Sequence, residues 1–579
     1  MISLLIRYLK DYRIQMILVF VFVLSQAACQ LYLPIMMGNI VANGVVKGDT
    51  AYIFKSGSMM LGVSLIAAVC MVASSYYSAY VTASFTSGIR ADVFDKVKSF
   101  SQTDFNRFGG ATLLTRSTSD ATQMQIVVIN GLRSLLLIPI TGVGALIMAF
   151  RENITLTFVL LASFVLTTVI IVITTSRSMP LFKTMQEKVD RLNLLIKEKL
   201  TGVRAIRAFN RQDYETEKFS KANQEGMDTA LKANYAVAFF SPLMQLMMNL
   251  TMVLILWMGS QEVQQQVVGL SDLMVFIQYV LMFMSALSLV SVLLMAYPQA
   301  QVSAIRVKEV LDYDFSIKDP EHPKKLKNIK GRIEFKDVSF GYKGAEKNVL
   351  NHLDFIAEPG KITAIVGATG SGKSTLVNLI LRLYEVSAGG ITVDGIDIRD
   401  CTQHDLRSVI AYSPQESILF GGPIIDNIRT GNENATQEDV KEALNLAQAT
   451  DFVSARENQL TSSIAQGGAD LSGGQQQRLS IARAVVKKAP ITIFDDCFSA
   501  LDFKTDSLVR KGIKENFRNK TVIMIAQRIS TIKDADRILV LDNGAIVGQG
   551  KHEELVKDCF VYQEILKSQS YHEERGESL

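Results

Sequence analysis

Six apolar segments, each about twenty residues or longer, fall near positions 14–41, 57–83, 126–149, 154–175, 235–258 and 270–297, and none follows Tyr297. A run of that length crosses the roughly 30 Å apolar core of a bilayer as one helix. Inside that core a spanning helix satisfies all of its own backbone groups. The first half is therefore expected to fold as a helical bundle in a membrane and the second half as something different. With 48% hydrophobic residues and a mean hydropathy of +0.21, the chain of 579 residues is more apolar than a soluble protein needs to be.

The loops between these segments are unequal. Those after the first, third and fifth spans are short and carry only Lys47, Lys55 and Arg151 as basic residues. Those after the second and fourth carry Arg90, Lys96, Lys98, Arg107 and Arg116, and then a dozen Lys and Arg between Arg177 and Lys232. The positive-inside rule places the long loops and both termini in the cytoplasm. The start, MISLLIRYLKDYRIQ, resembles a secretory signal, but its apolar run continues past Pro34 and Gln26 spoils a lipoprotein site ahead of Cys29, so an uncleaved first span is expected. Five scattered cysteines without a CxxC pair read as reduced thiols. A net charge of +4 spread along the chain argues against a nucleic-acid partner.

Residues 176–234 are too helix-friendly for a floppy loop. KTMQEKVDRLNLLIKEKL repeats apolar residues at helical spacing, and Gly202 and Gly226 are the only glycines in the stretch. Two helices of about thirty residues would reach about 45 Å beyond the membrane. The segment Asp312–Lys330, with two prolines and many charges, reads as a linker. The expected organisation is a six-helix transmembrane domain over 1–311, with long loops near 100–120 and 205–218. A linker over 312–330 and an α/β domain over 331–579 follow.

Within that last domain, the apolar strand KITAIV at Lys361–Val366 runs into GATGSGKST at Gly367–Thr375 and then into a helical stretch. This is G-x-x-x-x-G-K-[ST] in its strand–loop–helix setting. Gly367, Thr369, Gly370, Ser371, Gly372 and Thr375 are expected to close around phosphates through backbone N–H groups at a helix start. Lys373 is expected to reach the β and γ phosphates, and Ser374 to ligate magnesium. Downstream, ITIFDD ends a buried strand on Asp495, the acidic partner of such a loop. Gln415, in AYSPQES, follows another apolar strand in a position to touch the metal or the attacking water. In LSGGQQQRLSIARA, Ser472, Gly473, Gly474 and Gln475 form a donor-rich turn at a helix start.

Together these motifs resemble the ATP-binding cassette (ABC) exporters, in the form of a half-transporter that fuses membrane and nucleotide domains. The resemblance covers residues 10 to 565. It implies that Tyr342, in VSFGY, stacks on adenine, that Gln415 is the Q-loop, LSGGQ the signature motif and Ser499–Asp502, SALD, the D-loop. Asp502 then joins the nucleotide-contacting residues, and ATP with Mg2+ held by Ser374, Gln415 and Asp495 is the implied cofactor set. It further implies that two such halves sandwich two ATP molecules, each site using the P-loop of one half and the signature of the other. The loops around Arg107–Asp120 and Phe209–Glu217 match the regions that couple the domains.

Two departures stand closest to the attacking water. The family's general base is Glu directly after the Walker B Asp, and here it is Asp496, shorter by a methylene and about an ångström or more too far away to act. The switch position normally carries His, and here it is Gln527, which donates a hydrogen bond but carries no positive charge. A third departure is Gln466, where exporters commonly show Glu. The pattern predicts a site that binds ATP and hydrolyses it poorly, beside an intact signature that serves a partner. The expected partner is a second half-transporter with Glu and His at the two positions, in a multi-pass assembly of a bacterial plasma membrane. Met244, Met247, Met248 and Met252, with Met282, Met284 and Met295, read equally as an adaptable pocket or as lipid-facing filler, and the resemblance implies small amphiphilic compounds of drug-like character as cargo. Arg133 is expected to snorkel to lipid headgroups. A regulatory nucleotide-binding subunit that moves nothing, or an exporter of a specific peptide, lipid or porphyrin, is the alternative.

Overall fold

The computed structural model describes the backbone of residues 1–575 and the side chains of all of these except 2, 175, 179, 236, 237, 240, 241, 287–296, 298 and 570–575. Met295, one of the expected pocket methionines, lies outside the described side chains. Two compact units are present, one of Met1–Lys98 with Gly110–Tyr313, the other of Ser99–Gly109 with Asp314–Leu579. The loop expected near 100–120 thus divides, its first part clustering with the second unit.

The first unit is helical. Its main helices are Arg13–Asn39, Thr50–Lys98, Ala121–Glu152, Ile154–Ala208, Gln212–Ala238, Phe240–Gln264 and Leu270–Leu311. Five helical stretches among the described residues are long and apolar enough to cross a membrane, where six spans were expected. At the sixth position the apolar stretch is Leu270–Ala286, and the side chains of 287–296 that follow are not described. The segment 176–234 forms the end of one 55-residue helix and most of a 27-residue helix, joined by a turn at Phe209–Arg211 in which Asn210 takes φ +52°. Polar bonds tie the bundle where apolar packing gives no register: the Tyr279 hydroxyl donates to Leu31 O at 2.9 Å, and Arg116 donates to Glu309 at 2.9 Å. Ser303 donates to the buried carboxylate of Asp120 at 2.8 Å.

The second unit holds a six-stranded sheet in the order Ala545–Gly550, Arg537–Asp542, Ile362–Val366, Thr521–Ile525, Ile491–Asp495, Ile410–Ser413. All neighbours are parallel except the first pair. Such strands are apolar throughout because both faces are covered. Along Thr521–Ile525, Val522 and Met524 enter a core shared with the helical segments, while Ile523 and Ile525 enter a core shared with the four-stranded antiparallel sheet. Register then fixes the site. Ile525 pairs with both Ile365 and Asp495, so the residues that follow each strand leave the sheet side by side at its carboxyl edge. Open parallel sheets bind ligands at that edge.

Candidate functional site

Val366 passes into the loop Gly367–Gly372, and the helix Lys373–Ile380 follows. A Cβ on Gly367 would stand 2.1 Å from Leu541 O, so only glycine lets the loop leave the strand this close to its neighbour. Gly372 has φ +101°, a conformation that favours glycine. The Ser371 hydroxyl is buried with no hydrogen-bond partner among the described residues. Lys373 Nζ donates to the carbonyls of Gly367 and Ala368, both at 2.8 Å, and burial pulls its pKa below the ordinary lysine value. A cavity of about 310 Å³ opens over the loop, lined by Thr369, Gly370, Gly372, Lys373, Ser374, Thr375, Gln415, Asp495, Asp496 and Gln527.

Asp495 ends its strand 2% exposed, with Oδ1 3.4 Å from Ser374 Oγ and Oδ2 3.3 Å from the Tyr412 hydroxyl. Burial pushes its pKa up to about 6; the Tyr412 bond opposes this, while the neighbouring Asp496 charge adds to it. Two hard oxygens this close at the foot of a phosphate loop fit a magnesium ion. The Gln415 amide lies in the same cavity, but its Nε2 donates at 3.4 Å to Asp496 instead of Asp495.

Asp496 leaves the strand in the left-handed region, φ +46°, with its N–H bonded to Ile525 O. Asp tolerates this conformation better than most residues. The residue is 6% exposed, and its Oδ2 accepts from Gln527 Nε2 at 2.7 Å as well as from Gln415. Burial raises its pKa, against hydrogen bonds from Gln527 and the Lys373 charge. The three residues expected nearest the attacking water are thus bonded to one another.

Tyr342 stands at the mouth, 39% exposed, its hydroxyl 3.0 Å from Thr375 Oγ1. Its ring meets Tyr384 edge-on at 5.3 Å and Phe340 edge-on at 5.1 Å. Tyr384 is hydrogen-bonded by Asn106, on the short helix Gln102–Phe108 of the same unit. The signature turn lies apart from this cavity. Ser472 caps the helix Gly473–Val486, accepting from Gln475 N at 3.3 Å while Gln475 Oε1 accepts from Ser472 N at 3.1 Å. Asp502 caps the helix Phe503–Asn516, accepting from Thr505 N and Oγ1. Neither Gln475 nor Asp502 lines the phosphate cavity of its own chain. Sequence reasoning missed Tyr412, Tyr384 and Asn106; an aromatic residue in the RLY that follows the loop helix was the available signal for Tyr384.

Comparison with known proteins agrees with this geometry. The ABC transporter transmembrane region matches residues 16–287, and the ABC transporter domain matches residues 350–499. An uncharacterized ABC transporter ATP-binding protein of Mycobacterium tuberculosis is 38% identical over 98% of both chains. An ATP-dependent lipid A-core flippase of Vibrio vulnificus is 28% identical over 97% of this chain and 96% of its own. A bacterial Atm1-family ABC exporter with ATP bound has the same fold, with a TM-score of 0.80 and 24% identity over 96% of this chain and 98% of that one.

Proposed function

The chain belongs to the ABC transporter family, and from that premise we propose that it is one half of an asymmetric two-chain exporter of amphiphilic compounds. Its own Walker site retains ATP with little turnover, and its signature helix completes a hydrolysing site built on the partner's P-loop. The observation that carries this reading is the capture of the Asp496 carboxylate by the amides of Gln527 and Gln415. A general base must accept a proton from water, and an oxygen already accepting two amide bonds is poorly placed to do so.

Each side chain has a task in this reading. The glycine-rich loop and its free Ser371 hydroxyl offer donors to phosphate oxygens. Lys373 exchanges its two carbonyl partners for phosphate, and Tyr342 offers adenine its exposed ring face. Ser374 and Asp495 would hold Mg2+, which when bound neutralises phosphate charge. Gln527 supplies a neutral donor where a protonated His would stabilise developing charge, so binding is kept and turnover is slowed. Closure of two cassettes on ATP biases the membrane helices between two arrangements, and hydrolysis at the partner's site resets them.

The cargo reading rests on a cavity of about 590 Å³ in the helical unit, walled by Leu33, Pro34, Met37, Met60, Ile138 and Met282, with the uncharged Gln30, Thr141, Gln278 and Ser285. Apolar walls with a few neutral polar groups suit an amphiphile. A lipid is the second reading, favoured by relatives named lipid A-core flippases. Basic residues concentrated in the long loops support a plasma-membrane protein with its cassette in the cytoplasm.

The test is to tag this chain, extract it from native membranes and identify by mass spectrometry the cassette protein recovered in equal amount. A second half-transporter with Glu and His at the two altered positions is the expected result. Recovery of this chain alone, as a homodimer, overturns the asymmetric reading and leaves a slow ATPase or a nucleotide-gated regulator.

A further inference from the structure

The segment after strand Thr521–Ile525 is held from outside the phosphate cavity by one side chain. Gln569, on the C-terminal helix Phe560–Arg575, donates from Nε2 to Gln527 O at 2.7 Å and accepts from Ile529 N at 2.8 Å. A single carboxamide thereby pairs with alternate peptide groups of the switch segment, as a neighbouring strand would. Helical spacing delivers it. Tyr562, fully buried and bonded through its hydroxyl to His552 Nδ1 at 2.7 Å, packs into the core with Ile565 and Leu566 beside it, and Gln569 lies two turns beyond Tyr562 on the same face.

Gln569 thus holds the Gln527 backbone while Asp496 holds its side chain. The Gln527 N–H and side-chain amide both reach Asp496, at the wall where the phosphate cavity meets a second cleft of about 580 Å³. That cleft is lined on one side by Gly367–Thr369 and on the other by Gln569. The contact therefore joins the helix Phe560–Arg575 to the wall of the phosphate cavity.

We propose that Gln569 is a positioning residue of the nucleotide site: it fixes the backbone from which Gln527 distinguishes a nucleoside triphosphate from a diphosphate. This rests on Gly367–Thr375 being the nucleotide cradle. A diphosphate ends at the lysine end of the loop and gains nothing from the switch segment, whereas a triphosphate extends toward it. Loosening the switch weakens the second ligand and spares the first.

The experiment uses the full-length chain with whatever partner half co-purifies, photolabelled at 0 °C with Mg2+ and 8-azido-ATP or 8-azido-ADP, the labelled chain being read on a gel. Gln569→Leu removes both bonds; Gln569→Glu keeps the acceptor for Ile529 and loses the donor to Gln527. In Gln569→Leu the half-labelling concentration of the triphosphate is expected to rise about tenfold, that of the diphosphate by less than about twofold, and Gln569→Glu to fall between. Equal weakening of both ligands in both variants means the residue only tethers its helix and overturns the proposal, as does no change in either. Failure of the unsubstituted chain to label with either nucleotide overturns the reading of the cradle itself, a distinct result.

Discussion

Gln527 Nε2 donates to Asp496 Oδ2 at 2.7 Å, so the residue at the switch position and the residue at the base position are bonded directly to each other. Asp496 turns out of its strand at φ +46°, and the same Oδ2 accepts from Gln415 Nε2 at 3.4 Å. Asp496 and Gln527 therefore form one bonded unit, separate from the two loop carbonyls that hold Lys373.

The pairing is tested by reversing it. In the proposed two-chain exporter, with the second site silenced, Asp496→Glu combined with Gln527→His is expected to raise phosphate release from this chain's site by at least about tenfold, since a working base contributes roughly 10²–10⁴. Asp496→Asn is expected to change the basal rate by less than about twofold. A collapse of the rate in Asp496→Asn would mean that Asp496 is a working base.

Asp495 gives a prediction in pH. Its folded pKa of about 6 lies above the ordinary Asp value near 4, so the folded chain binds this proton more tightly than the unfolded one. Its favourable contribution is complete below about pH 4 and is lost as pH rises through about 6. About two units correspond to roughly 3 kcal/mol as an upper figure. Without nucleotide or metal at pH 7.5, Asp495→Asn should raise the cassette's melting temperature by on the order of 5 °C. The gain should shrink toward pH 5, and the variant should lose the stabilisation that Mg-ATP gives the parent; differential scanning fluorimetry reads both.

The line Asn106–Tyr384–Tyr342 separates two roles of one ring. Tyr384→Phe keeps the edge-on packing and loses the bond to Asn106, so nucleotide affinity should stay within about twofold while stimulation of ATPase by cargo falls. Tyr384→Ala also removes the support behind Tyr342, and an aromatic pair is worth about 1 kcal/mol, so affinity should drop by about fivefold. Filter binding of nucleotide and cargo-stimulated phosphate release distinguish the two.

What the sequence made legible was the part that topology repeats locally. The loop Gly367–Thr375, the strand ending in Asp495 and the turn at Ser472 each lie within one strand–loop–helix step, and register then places Ile365, Ile525 and Asp495 in a row. Contacts between distant parts of the chain left no such trace. Asn106 meets Tyr384, and Gln569 meets Gln527, only because tertiary packing brings their helices there. In KSQSY, Gln569 reads as part of a polar tail. Gln475 and Asp502, expected to contact nucleotide, expose an ambiguity of a different kind. A residue type that suits a phosphate also suits a helix cap, and in this chain both are engaged in caps.

That ambiguity bears on the last prediction, which concerns whom the signature turn serves. Ser472 does not line this chain's own phosphate cavity, its hydroxyl accepting from Gln475 N, and in the proposed assembly the nucleotide it meets is held by a second cassette. Ser472→Arg should therefore leave 8-azido-ATP labelling of this chain within about twofold while stopping most of the complex's hydrolysis, because a bulky cation displaces the cap. Lys373→Ala should do the reverse, removing the label here, since the buried ammonium is lost, while sparing much of the turnover. Opposite outcomes from two residues of one chain require two unlike sites. If both substitutions lower labelling and hydrolysis together, the sites are equivalent, and the asymmetric exporter gives way to a symmetric slow one.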